Sequence, residues 1–155
     1  MKASLILLLS LLSVFAFSQK TLTWKGGTPG NEHDWYEPKN WDKNIVPDED
    51  SYVIIKRLNT GHDAQPVIAE KVIVAYIELQ SRSILTISNK GSLILDGSYT
   101  YSEGINFYGG QLLNEGVLNL KGIEFSNFNV IAHHIKGNGK TLVNNKPIRK
   151  EYAGF

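Results

Sequence analysis

The chain has 155 residues, 16 Lys+Arg against 15 Asp+Glu, 14 Gly, 5 Pro, 3 Trp and no Cys. Its length predicts one domain, since domains commonly hold about 100–200 residues, and its near-neutral charge argues against a nucleic-acid binder, whose footprint is strongly basic. The missing cysteines exclude disulfides, Cys-ligated zinc or iron–sulfur centres, a thiol nucleophile and lipidation at an N-terminal cysteine.

The first element is an address. Lys2 precedes an apolar run from Leu5 to Phe17, broken only by Ser10 and Ser13, and Ala16-Phe17-Ser18 places small residues at −3 and −1 of a cleavage site. This is the layout of a secretory signal peptide over residues 1–18. The apolar run is 13 residues, too short for a membrane span of about 20. Cleavage would leave 155 − 18 = 137 residues with 15 Lys+Arg against 15 Asp+Glu. No later segment is apolar enough to cross a bilayer, so the expected product is secreted, either periplasmic or extracellular. A cysteine-free exported domain fits a bacterial protein better than a small secreted eukaryotic one.

Residues 19–51 form a distinct compositional block. They hold Trp24, Trp35 and Trp41 together with Pro29, Pro38 and Pro47, and show no helical apolar period. The expected layout is a short strand from Thr21 to Trp24, a turn at Gly26-Gly27, then a long loop.

From Tyr52 onward, short β-rich runs alternate with turn residues. The runs include Tyr52 to Ile55, Val72 to Leu79, Ile84 to Ile87, Leu93 to Leu95, Ile105 to Phe107, Gln111 to Leu113 and Val117 to Leu120. Ile123 to Phe125, Val130-Ile131 and Thr141 to Val143 read the same way. Between them lie Asn89-Lys90-Gly91, Asp96-Gly97, Gly109-Gly110, Asn114-Glu115-Gly116 and Gly137-Asn138-Gly139, which suit tight corners. No long helical window is visible, so the chain reads as all-β.

The shortness of the runs and their spacing predict a parallel β-helix, or β-solenoid, over residues 52–145, with a β-sandwich as the alternative. Leu79, Ile87 and Leu95 are each eight apart, and Leu113 and Leu120 seven apart. A coil would hold about 20 residues, giving roughly four or five coils. Open solenoid ends need caps. The Trp-rich block is the candidate for one; residues 146–155 are a cap, a short extra strand or a frayed tail. Residues 121–155 carry six basic against two acidic side chains, a net of +4 that resists edge-to-edge pairing.

Thr23-Trp24-Lys25-Gly26-Gly27, Trp35, Pro38, Asn40-Trp41, Pro47, Asp50 and Val53-Ile54-Ile55 form a pattern T-W-x-G … N-W … P … D. It resembles the opening motif of secreted bacterial proteins with a parallel β-helix. Gly91-Ser92-Leu93-Ile94-Leu95 and Asn114-Glu115-Gly116-Val117-Leu118-Asn119-Leu120 are similar to the repeats that follow it there. The resemblance covers residues 21–132 and implies an exported module of Gram-negative surface or secreted proteins, with no catalytic residues. Chains opening on this motif usually run much longer, with further domains or a sorting signal.

Trp24, Trp35 and Trp41 have two possible roles: stacking platforms for sugar rings, or a buried cap over the first coil. His133-His134 would point to opposite faces of a strand, and His33 and His62 are scattered, so no metal signature emerges. Pro47-Asp48-Glu49-Asp50 lacks the spacing of a calcium loop and reads as a turn. Asp96, Glu103, Glu115 and Glu124 flank turns rather than converging as a hydrolytic carboxylate pair. The expectation is a non-enzymatic structural or adhesive module with no metal and no cofactor, contacting a cell-surface or extracellular glycan or protein. The rivals are a carbohydrate-binding module using the tryptophans and a remnant of a polysaccharide-cleaving enzyme.

Overall fold

A computed structural model describes residues 20–57, 64–96 and 104–148. The signal-peptide segment, His62, Glu103 and the tail from residue 149 lie outside the described residues.

The chain winds as a series of short strands into three parallel sheets, which confirms the β-solenoid and sets aside the sandwich. The first sheet stacks β1 (Lys20–Thr23), β2 (Ser51–Lys56), β5 (Tyr76–Gln80) and β8 (Ile105–Tyr108). The second stacks β3 (Val67–Ile68), β6 (Ile84–Ile87), β9 (Gln111–Asn114) and β11 (Ile135–Lys136). The third stacks β4 (Lys71–Val74), β7 (Ser92–Asp96), β10 (Val117–Lys121) and β12 (Lys140–Val143), and ends on β13 (Lys146–Pro147), which pairs antiparallel with β12. Each turn therefore visits the three sheets in the same order.

Strand alternation fills the interior. Every second side chain points inward and stacks on its counterpart in the next coil. Leu22, Val53, Ile77 and Ile105 form one such column, and Val74, Leu95, Leu120 and Val143 another. The eight-residue spacing of Leu79, Ile87 and Leu95 proves to be the step from one sheet to the next within a single coil. Equivalent positions in the third sheet, Val72, Leu93, Leu118 and Thr141, are 21, 25 and 23 residues apart. In the first sheet, Val53, Ile77 and Ile105 are 24 and 28 apart.

The corner between the second and third sheets is set by glycine. Gly91, Gly116 and Gly139 precede β7, β10 and β12 at matching positions. A Cβ on Gly116 would lie 2.2 Å from the Ser88 carbonyl oxygen and 2.3 Å from that of Gly91. Only a residue without a side chain lets successive coils approach so closely. Asn114 completes this corner: it accepts a hydrogen bond from the Gly116 amide at 3.1 Å and donates to the Lys140 carbonyl at 3.2 Å.

One segment departs from the all-β expectation. Of the residues expected as strands at Ile123 to Phe125 and Val130-Ile131, Phe125, Val130 and Ile131 lie in α1 (Phe125–Ile131), with Ile123 and Glu124 leading into it; the helix continues into a short 3-10 turn over Ala132–His134. This stretch stands where the fourth turn would place a strand of the first sheet. Phe128, Ile131 and Ala132 supply its buried face at helical spacing, and seven residues are too few for that period to stand out in sequence. His134 stacks on Phe107 of β8, with ring centroids 4.7 Å apart, so the helical stretch covers the last strand of the first sheet.

Candidate functional site

The three tryptophans build the first end of the rod. Trp24 and Trp41 meet edge to face at 5.0 Å, and Trp35 and Trp41 at 4.8 Å. Their side chains are 0–1% exposed. Trp24 Nε1 donates to the Ala64 carbonyl at 2.7 Å and Trp41 Nε1 to the Trp35 carbonyl at 2.9 Å, while Trp35 Nε1 has no partner. No ring face is left open for a ligand to stack upon. Asn40, equally buried, organises the loop: it accepts from the Thr28 amide and donates to the Asn31 and Asp34 carbonyls.

This segment reaches the edge of every sheet. The Asp42 amide donates to the Thr23 carbonyl beside β1, and the Thr23 amide donates to Asp42 Oδ1. The Val67 amide of β3 donates to the His33 carbonyl at 2.8 Å. The Tyr36 hydroxyl donates to the Lys71 carbonyl of β4. Backbone groups that would otherwise offer themselves to another chain are thus engaged.

The polar chemistry of the rod gathers elsewhere, on the outer face of the first sheet. Tyr52, Ile54 and Lys56 of β2 alternate outward, and register sets Tyr52 beside Tyr76, and Ile54 beside Glu78 and then Asn106. Tyr52 and Tyr76 stack with centroids 4.6 Å apart. Glu78 is the hub: Tyr52 Oη donates to its Oε2 at 2.5 Å, and Gln80 Nε2 donates to its Oε1. Asn106 Nδ2 donates to Tyr108 Oη at 3.5 Å, and the Tyr108 side chain stands out at 61% exposure. Burial, with the Glu78 hydrogen bond next in weight, raises the Tyr52 pKa well above the usual phenolic range. Burial, followed by the neighbouring Tyr108 and Glu78, pushes Tyr76 up to about 12. Both phenols therefore remain protonated donors at neutral pH.

Composition and motif spacing do not mark Tyr52, Tyr76, Glu78, Gln80 and Tyr108 as a group, and Asn106, a candidate for an inward or corner amide ladder, stands instead on the outer face of β8. Their signal was the residue between two inward ones in each strand, as in Tyr76-x-Glu78-x-Gln80. It becomes a surface only once strands separated by unequal coil lengths are brought into register.

The other sequence candidates are dispersed. His133 and His134 sit in the 3-10 turn rather than in a strand, with ring centroids 3.9 Å apart, which corrects the opposite-face expectation. Burial, then the His133 and Lys136 charges, lowers the His134 pKa. His33 Nδ1 lies 2.8 Å from the Gln65 carbonyl oxygen. Asp48 is bound to Lys20 at 2.7 Å and accepts from the Ser51 hydroxyl at 2.7 Å. Burial opposes ionisation of Asp48, but the hydrogen bonds from Lys20 and Ser51 and the Lys20 charge outweigh it and lower its pKa. Asp96 faces Lys121 at 3.6 Å, Glu115 lies at a corner and accepts from the Asn138 amide at 3.4 Å, and Glu124 precedes α1. Among the described residues, no group of three or more His, Cys, Asp or Glu is placed to hold a metal ion.

No family model, curated protein or solved structure matches the chain. Among the described residues, no helix is long and apolar enough to cross a membrane.

Proposed function

We propose that this chain is an exported, non-enzymatic β-solenoid module of a bacterial protein, acting by surface contact as a structural or adhesive unit. The observation that carries this reading is the outer face of the first sheet. Three consecutive coils bring aromatic, carboxylate and amide side chains into one continuous patch on a stiff scaffold. The signal-peptide layout of residues 1–18 and the resemblance to secreted β-helix proteins support an exported compartment.

A carbohydrate ligand is the second reading, favoured by the chemistry of the same patch. Exposed Tyr108 offers a ring face, while Glu78, Gln80 and Asn106 supply acceptors and donors for hydroxyls. This moves the carbohydrate-binding alternative away from Trp24, Trp35 and Trp41, which spend their faces on one another. The enzyme-remnant reading has less support, because Asp96, Glu115 and Glu124 occupy separate strand ends and corners.

Fluorescently labelled protein would be applied to isolated bacterial envelopes and to a glycan array. Retention that falls at least about tenfold in Tyr108→Ala or Asn106→Ala, the loss of about 1.4 kcal/mol expected for a central contact, supports the face. Ile84→Ala, at an exposed position on the second sheet, serves as the control. Equal loss in the control, or no loss in the first two, would refute the assignment.

A further inference from the structure

The charges of this rod are sorted along its axis. Residues 20–50 carry Lys20, Lys25, Lys39 and Lys43 against Glu32, Asp34, Glu37, Asp42, Asp48, Glu49 and Asp50, a net of 4 − 7 = −3. Residues 121–148 carry Lys121, Lys136, Lys140 and Lys146 against Glu124, a net of 4 − 1 = +3. The fold makes this segregation spatial. The first group surrounds β1 and the loop that touches β3 and β4, the leading strands of the other two sheets. The second lies on β11, β12, β13 and the end of β10, at the opposite limit of the same sheets. In the first sheet, β1 and β8 are separated by three strand spacings, about 14 Å at about 4.8 Å each. That exceeds the Debye length of about 8 Å at physiological ionic strength, so each end presents its own sign to an approaching molecule.

Each end also carries exposed apolar surface. Val130, 65% exposed on α1, stands at the basic end, and Ile45, 46% exposed, with Tyr36 at the acidic end. The terminal strand of the third sheet contains Pro147, whose nitrogen has no hydrogen to donate, and the leading strands are already engaged by the Trp-rich loop. Simple continuation of the sheets from copy to copy is therefore blocked. Opposite charge around small apolar contacts remains as the complementary feature.

We propose that copies of this chain associate head to tail, the basic end of one seating on the acidic end of the next. Both contacting surfaces are different patches of the same molecule, so the contact is heterologous and extends into a linear string rather than closing as a two-fold dimer. Like charge at each end disfavours head-to-head and tail-to-tail pairing, which fixes the polarity of the string. A module that acts by surface contact gains avidity from such stringing, although the association stands on its own observations and does not depend on the partner of the first sheet.

Sedimentation velocity on the purified protein across a concentration series tests this, at about 20 mM and about 500 mM salt. The expected result is a weight-average mass that rises with concentration at low salt and returns to the monomer at high salt. Lys136→Glu with Lys140→Glu and Lys146→Glu makes both ends acidic, whereas Glu49→Lys with Asp50→Lys turns the acidic end from −3 to −3 + 4 = +1. Each set alone is expected to remain monomeric at low salt, and an equimolar mixture of the two to regain mass. Val130→Asp, at an exposed position, gives a second route to the same loss without touching the basic side chains. A monomer at every salt concentration, or association that strengthens with salt, would overturn the proposal. So would a closed dimer whose mass does not grow with concentration.

Discussion

The two ends of the rod are closed by different means. At the acidic end, an aperiodic loop concentrates its burial in three tryptophans and one asparagine, and secures all three sheets. At the basic end, a seven-residue helix covers the first sheet and a hairpin closes the third. A loop without repeating strands cannot draw stability from a neighbouring coil, so large interlocked rings must supply it. The far end inherits a nearly complete template and needs only modest additions. Damage should accordingly spread from the first end and stay local at the second.

The largest effect is expected at Trp41, which touches both other indoles. Trp41→Ala should cost about 3–5 kcal/mol, measured as a lower urea midpoint, with loss of ordered sheet signal extending beyond the cap. A loss below about 0.5 kcal/mol, the size of an ordinary surface substitution, would remove the distinction between the ends. Gly116→Ala tests the coils between them. The added methyl collides with the Ser88 and Gly91 carbonyl oxygens, so a cost of about 1–3 kcal/mol is expected from overpacking, again read by urea unfolding.

That glycine column was legible in the sequence, because Gly-x-Leu-x-Leu around Gly91 and Gly116 repeats the corner and the inward alternation together. The alternation at Val53, Ile77, Leu93 and Leu118 was readable for the same reason. Register was not, since coils of 24 and 28 residues in the first sheet carry insertions that a fixed period does not anticipate. The tyrosine face stayed hidden with it. Ser81 and Arg82 also adopt left-handed backbone at the corner between β5 and β6, where no glycine marks the turn. The tryptophans were visible as a cluster, but only their mutual contacts decide between platform and cap.

A smaller and more confined effect is expected at the hairpin. Asn144 and Asn145 adopt left-handed backbone, as a two-residue type I′ turn requires. Asn144 also accepts from the Gly122 amide and donates to the Ile123 carbonyl, each at 2.8 Å. Asn144→Ala should cost about 1–2 kcal/mol, with faster hydrogen exchange in residues 117–148 and unchanged protection around Trp24. Loss of protection at both ends together would show that they unfold as one unit.

The smallest effects come with acid, and they separate the ends by pH. The lowered His134 pKa means the unfolded chain binds the proton more readily. Stability at the basic end is therefore lost as pH falls through the window just below about 6.5. The lowered Asp48 pKa gives a contribution present above the ordinary carboxylate value of about 3.9 and lost as pH falls through the folded value. Exchange measured during acidification should loosen residues near His134 first and those near Lys20 later. The reverse order would contradict these assignments.

A division among the aromatic residues underlies the fold: Trp24, Trp35 and Trp41 are closed inside the cap, while Tyr108 is exposed on the first sheet. Acrylamide quenching of tryptophan fluorescence tests it most directly, comparing native protein with protein unfolded in urea. The account predicts native quenching several-fold weaker than in urea, with blue-shifted emission, because Trp24, Trp35 and Trp41 are all buried. Native quenching as strong as in the unfolded chain would contradict it, and would return the three indoles to the surface as candidate binding platforms.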